Sequence, residues 1–360
     1  MSAAHSAGHP ARLIARRKAS VFVLVAMPVL LIAIAGLATT IGAAGIPLSR
    51  LLAALGIGAG DPAFVARDSL ILWSIRLPRI ALAALVGGML AVAGSIMQGL
   101  FRNPLADPGL VGVSSGGALA AAAMIVIGDR FIAAAGWLPP VAMLPIAAFV
   151  GALATTSILY RFATRDGRTS VVTFLLGGLA IGALANAGIG LLVFAADDRQ
   201  LRDITFWMLG SLGGATWSRV EAIFPFFVVL VISLPFIARG LDYLALGESE
   251  AFFGGIEVQR LKVLSIVLVA AAAGAAVSVS GVIGFVGIVV PHLLRLAIGP
   301  GHRLLLPSSV LLGAALLVAA DTLARIVVAP AELPIGIVTA LIGAPFFLVL
   351  LMKQRAAISQ

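Results

Sequence analysis

Cysteine is absent, tyrosine occurs twice, and the only lysines are Lys18, Lys262 and Lys353. Without cysteine there is no disulfide framework, no thiolate metal site and no sulfur nucleophile. The lysines follow Arg17, Leu261 and Met352, never a glycine, so the chain has no GxxxxGK[ST] loop to cradle nucleotide phosphates. It is therefore not a P-loop ATPase. The four histidines (His5, His9, His292, His302) form no HExxH motif. Charged residues make up only 11% of the sequence, against roughly a quarter in soluble domains.

Apolar residues account for 61% of the sequence, and the mean hydropathy is +1.15. A membrane span needs about 20 apolar residues, and ten segments qualify: 21–41, 77–100, 109–128, 139–160, 171–195, 218–238, 260–280, 282–298, 304–328 and 335–352. The fold class expected is all-α and polytopic, a single transmembrane domain over residues 1–360. Only "SGVIG" separates the seventh and eighth segments, which reads as a tight turn. Glycines recur inside segments, with Gly178 and Gly182 as one small-xxx-small pair; small residues let helix backbones approach in lipid.

Placing residues 1–20 in the cytoplasm as a basic tail puts 15 of the 24 Lys and Arg residues on that side, as the positive-inside rule requires. Both termini are then cytoplasmic. All four tryptophans (Trp73, Trp137, Trp207, Trp217) fall at the outer side, at the headgroup level that tryptophan favours. The net charge of +9 is spread over many loops, which points to lipid headgroups and not to nucleic acid. "ARLIARRKAS" resembles the basic region of a signal peptide, but the apolar run after it is long and no clear cleavage site follows.

"GVSSG" (Gly112 to Gly116) matches a nucleophile-elbow pattern, yet it opens a membrane helix instead of a strand–turn–helix. Its serines are expected to bond within the helix or to a neighbour. In "FRNPLADPGL", Asp107 is placed to cap the next helix, with Pro108 in its first turn. Polar groups near membrane depth are Gln98, Asn186, His292, Arg295, Asp321 and Arg325. Asp321 and Arg325 have the spacing to pair on one helix. Asn186 either bonds a neighbouring helix or lines a path. No span is studded with acids, so an ion relay of the secondary-transporter kind is thin. Energy for pumping has to enter from elsewhere. "LDYLALGESEAFFGG" breaks the apolar pattern between the sixth and seventh segments with Asp242, Glu248 and Glu250 among Leu244, Leu246, Phe252 and Phe253.

"IRLPRIALAALVGGMLAVAGSIMQGLFRNPLADPGLVGVSSGG", "LALGESEAFFGG", "SGVIGFVGIVVPHLLRLAIGPGHRLLLP" and "AELPIGIVTALIGAPFF" resemble the permease family of vitamin B12, ferric-siderophore and haem ABC importers. The likeness runs from about residue 70 to the C-terminus. It implies the type II importer fold of about ten helices, paired with a second copy of itself in the bacterial inner membrane. Two cytoplasmic ATPase subunits bind the ATP and Mg, a periplasmic binding protein delivers cargo, and this chain binds no cofactor or metal and catalyses nothing. By the same resemblance, residues 241–256 form the cytoplasmic coupling helices, with Asp242, Leu244, Leu246, Gly247, Glu248, Glu250, Phe252 and Phe253 as the ATPase contact. Arg76, Arg79 and Arg325 match positions that receive acids of the binding protein at the outer rim. Thr169 and Ser170 match the cytoplasmic gate. "QLRDITFWMLGSLGGATW" resembles the haem branch more than the cobalamin or siderophore branches.

Overall fold

In a computed structural model, the structure describes residues 25–42, 45–58, 61–134, 140–166 and 168–358. The basic tail 1–20 and Trp137 lie outside them. After α1 (Val25–Thr40) come the short α2 (Leu48–Ala54) and α3 (Pro62–Ile71). Through a π-helical turn, Leu72–Arg76, α3 runs on into α4 (Leu77–Phe101). Then follow α5 (Val113–Ala134), α6 (Pro140–Ala163), the two-strand hairpin β1 (Thr164–Arg165) and β2 (Arg168–Thr169), and α7 (Val171–Ala195). The rest comprises α8 (Asp198–Met208), α9 (Trp217–Leu246), α10 (Glu248–Phe253), α11 (Val258–Ser280), α12 (Val286–Ile298), α13 (His302–Ile326) and α14 (Ile335–Ile358).

Among the described residues, six helices are long and apolar enough to cross a bilayer, and four shorter apolar ones accompany them. Together they match the ten expected segments, with three differences. The eighth segment is short: α12 has 13 residues, about 20 Å of helix against a hydrocarbon core of about 30 Å. Its start is delayed because residues 281–285 form an irregular bend, with Gly281 at φ 69° and Phe285 at φ 68°, where a tight turn was expected. The sixth segment is longer: α9 continues to Leu246 and absorbs the first half of the proposed coupling stretch. Thirdly, α8 was not expected. It begins with a reciprocal cap between Asp197 and Gln200 and buries Ile204 while leaving Leu201 and Phe206 exposed.

The core centres on α4, buried almost all round and packed by α9, α11, α12 and α13. Close approach is made by small residues. A Cβ on Gly94 would lie 2.0 Å from the Gly287 carbonyl oxygen of α12, and one on Gly87 would lie 2.2 Å from that of Gly313 on α13. This is backbone-to-backbone packing of the kind that replaces the hydrophobic effect in lipid. On α7 the expected pair divides: a Cβ on Gly182 would come no nearer than 3.9 Å to the Ser115 hydroxyl, whereas Gly178 is buried. In contrast to α4, α7 buries only Phe174, Gly178, Ala185 and Ile189.

The α4–α5 turn is stiff, as the prolines require. Helix α4 stops at Phe101 with Arg102 in a left-handed conformation. Asp107 Oδ1 accepts the Gly109 N–H at 2.7 Å, but it caps a 3-10 turn, Pro108–Val111, and not α5 itself. Ser115 donates to the Gly112 carbonyl at 3.2 Å, the local bonding expected for "GVSSG".

Candidate functional site

Charged side chains gather at the two ends of α4, which spans 25 residues, or about 37 Å. At its N-terminal end the structure brings Arg76, Arg79 and Arg325 together, on the π-turn, α4 and α13. None is a rim charge: all three are buried and held by their own chain. Arg79 donates from Nε to both oxygens of Asp321 at 3.0 Å, from Nη2 to Asp321 Oδ1 at 2.9 Å, and from Nη1 to Glu332 at 2.9 Å. Arg76 donates to the Ile41 carbonyl at 2.8 Å. Arg325 lies 3.2 Å from Asp321 Oδ2, and donates to the Ile41 carbonyl at 3.3 Å and that of Ala38 at 3.4 Å. Asp321 therefore does pair with Arg325, but its better partner is Arg79. Buried charges need compensation, and the chain supplies it here with two carboxylates and the carbonyls at the end of α1. The exposed member is Glu332, in the α13–α14 connection. It lies close to Gly213, and neither Glu332 nor Asp321's role toward Arg79 was read from the sequence.

At the opposite end, α10 projects as a small knob. Phe252 and Phe253 are 73% and 83% exposed, Leu246 is exposed beside them, and Glu248 and Glu250 head the helix. Gly247 separates α9 from α10 with φ 138°, a backbone conformation that favours glycine. Two of the expected contact residues are engaged by their own chain. Leu244 is fully packed in the core. Asp242 is half-buried; it accepts from the His302 N–H at 2.7 Å and lies 2.8 Å from His302 Nδ1, holding the start of α13. Both sit on the last turns of α9, which still packs on the bundle.

Thr169 is likewise buried, in β2, while Ser170 is exposed and caps α7 by accepting the Thr173 N–H at 3.3 Å. The pair is thus one residue that anchors and one that faces out. Lys262, on the first turns of α11, is buried against both Thr169 and Glu248; being one of only three lysines was its single sequence signal.

The polar groups between the ends divide. Gln98 donates to the Gly287 carbonyl at 3.0 Å and accepts from Arg295, a cross-link of α4 to α12. His292 packs edge-on against Phe346. Asn186 stands on the uncovered face of α7, and its side chain makes no hydrogen bond to a described residue. Desolvation at the packed α4–α12 junction pushes the Asp107 carboxyl above the usual carboxylate range, against the pull of its bond from the Gly109 N–H. Among the described residues no group of histidines and acids is placed to hold a metal ion.

Apolar helices around a buried α4, with a protruding aromatic and acidic knob at one end and an arginine cluster at the other, define a multi-pass membrane transport subunit. The chain belongs to the FecCD transport family, whose model matches residues 29–353. It is a transport protein and not an enzyme. Over 285 residues it is 48% identical to the hemin transport system permease protein HmuU of Yersinia pestis, covering 78% of this chain and 83% of that one. Over 287 residues it is 46% identical to the cobalamin import system permease protein BtuC of Halobacterium salinarum, covering 79% and 74%. Among solved structures, a metal-chelate type ABC transporter in an inward-facing conformation aligns with TM-score 0.79 and 32% identity, over 92% of this chain and 98% of that one.

Proposed function

We propose that the chain is the permease of an ATP-driven importer that passes haem from a periplasmic binding protein across the bacterial inner membrane, with both termini in the cytoplasm. The observation that carries the reading is the α10 knob: two exposed phenylalanines and two acids on a short helix, in a chain with no nucleotide-binding loop of its own. Such a helix fits a groove on another protein, here an ATPase subunit that binds the ATP and Mg. The permease itself needs no cofactor. Two copies pair through the uncovered face of α7, where Leu176, Leu184 and Leu191 are exposed, and Asn186 then lines the path between them. Thr169 and Ser170 close that path at the cytoplasmic end.

The arginine cluster lies at the outer end and receives the binding protein. Arg76 and Arg325 act as fixed positive charge from behind, and an incoming carboxylate reaches Arg79 by displacing Glu332. Haem is favoured as cargo by the likeness to the hemin permease. Cobalamin is the second reading, favoured by a nearly equal likeness to a cobalamin permease. The test is uptake into proteoliposomes holding the permease, its ATPase and its binding protein, offered hemin, cobalamin or a ferric siderophore. ATP-dependent accumulation of hemin is expected. Accumulation of cobalamin alone transfers the assignment to the second reading, and uphill uptake by the permease without the ATPase overturns the importer reading altogether.

A further inference from the structure

Both backbone polar groups of Thr169, at the foot of α7, are taken by side chains of α11. Gln259 Oε1 accepts its N–H at 3.1 Å, and Lys262 Nζ donates to its carbonyl at 3.2 Å. Gln259 and Lys262 lie one helical turn apart, on a single face of α11. The lysine is 3% exposed. Its other bond, at 2.8 Å, goes to Glu248 Oε1 on the first residue of α10. A buried ammonium is costly unless it is paired and hydrogen-bonded. A single cation shared by two elements therefore resists their separation.

From Thr169 the connection continues without a gap. Thr164 and Thr169 pair across the hairpin, with their hydroxyls 3.0 Å apart. The Ser170 N–H donates to the Ala163 carbonyl at 2.9 Å, and Ser170 Oγ caps the first turn of α7. The covalent route out of α10 is a poorer lever, because it passes through Gly247 at φ 138° on one side and Gly255 at φ 77° on the other. Glycine at such positions lets the backbone swivel.

We propose that Lys262 is the transmission residue of the transporter: through its ammonium, displacement of α10 by the ATPase is carried to the Thr169 hairpin and the start of α7. This rests on the importer reading given above. In it, Lys262 touches no cargo and no nucleotide; it positions one moving part against another.

The test uses the complete complex of permease, ATPase and binding protein in proteoliposomes, with Lys262→Met, Lys262→Arg, Glu248→Ala and the Lys262→Met/Glu248→Ala double variant. Hemin transported per ATP hydrolysed is measured beside the hydrolysis rate itself. Lys262→Met is expected to keep hydrolysing ATP while hemin per ATP falls about tenfold or more, the effect of losing a hydrogen bond to a charged group. Lys262→Arg keeps the charge and retains coupling. Compared at equal ATPase occupancy, which sets aside the contact that Glu248 makes with the ATPase, the double variant is no worse than Lys262→Met, because both changes then cut the same link. A native ratio in Lys262→Met, or additive losses in the double variant, overturns the proposal. A merely structural lysine lowers the amount of folded complex without changing this ratio.

Because the native chain has no cysteine, spin labels at Val172→Cys and Ser249→Cys, both exposed positions, report the α7–α10 distance directly. It is expected to stay narrow with and without ATP in the native complex and to broaden in Glu248→Ala, a variant at the exposed end of the link that serves if Lys262→Met fails to fold. An equally narrow distance in Glu248→Ala overturns the proposal. Failure of the native complex to pump is a different result, and refutes the importer reading on which the proposal stands.

Discussion

Asp321→Ala is the perturbation that weighs the arginine cluster most directly. In the native protein the Asp321 carboxylate is buried and receives three hydrogen bonds from Arg79, with Arg325 3.2 Å away. Alanine leaves Arg79 with Glu332 alone, which is half-exposed, and strips Arg325 of its only carboxylate among the described residues. Breaking a buried pair by deleting one partner costs about 3–5 kcal/mol, because the other charge is left uncompensated. The surviving Glu332 bond places the expected loss at the lower end, about 3 kcal/mol, or more than a hundredfold in the folding equilibrium.

The assay is reversible unfolding of the purified permease in mixed detergent, comparing Asp321→Ala, Asp321→Asn and Arg79→Met. Asparagine keeps one acceptor oxygen and is expected to lose less. The Arg79→Met/Asp321→Ala double variant is expected to fall short of the summed single losses by about 2 kcal/mol, the signature of direct contact. A loss below about 1 kcal/mol for Asp321→Ala, or simple additivity in the double variant, refutes the reasoning that the cluster holds this end of the fold together.

Glu332→Gln frees Arg79 of its exposed competitor; on the docking reading it tightens binding-protein affinity, most clearly at low salt, and weaker binding in a pull-down or fluorescence titration counts against that reading. Gly247→Pro forces φ to about −65° where the native value is 138°; the variant is expected to reach the membrane and bind ATPase poorly, with hydrolysis no longer tied to uptake, and unaltered uptake would remove α10 from the coupling role. Gly94→Val drives a side chain into the Gly287 carbonyl, with no flexible group to yield, whereas Gly190→Ala meets nothing within 4 Å. The first is expected to abolish folded protein in membranes and the second to leave its yield unchanged, as read by size-exclusion chromatography.

Much of the fold was legible because lipid leaves so few solutions: long apolar runs must be helices, and their spacing in the sequence gives the count. What escaped was shape that hydropathy does not record. Helix α12 is apolar but for His292 and Arg295 in its second half, and hydropathy does not reveal that 281–285 bends before it starts. Conversely, α8 is too charged to register as a membrane element, although Asp197 and Gln200 carry a capping signature that a closer reading of "DDRQ" finds.

The site was legible in a more particular way. Arginine, aspartate and glutamate announce that a charge will be matched, but sequence does not say by whom. For Arg79 the need is met inside the chain by Asp321, 242 positions away, and for Asp242 by His302, 60 positions away; neither separation is visible as a pattern. A carboxylate partner on another protein and one on a distant helix satisfy a guanidinium equally well, so only burial separates them. By that criterion Phe252, Phe253 and Leu246 are left facing outward, with no described residue covering them, while Leu244 and Asp242, a few residues earlier, are already satisfied. The change from apolar side chains packed in the core to apolar side chains left exposed thus falls between Leu244 and Leu246, in the last turn of α9 just before Gly247, and not at Asp242, where the acidic stretch begins.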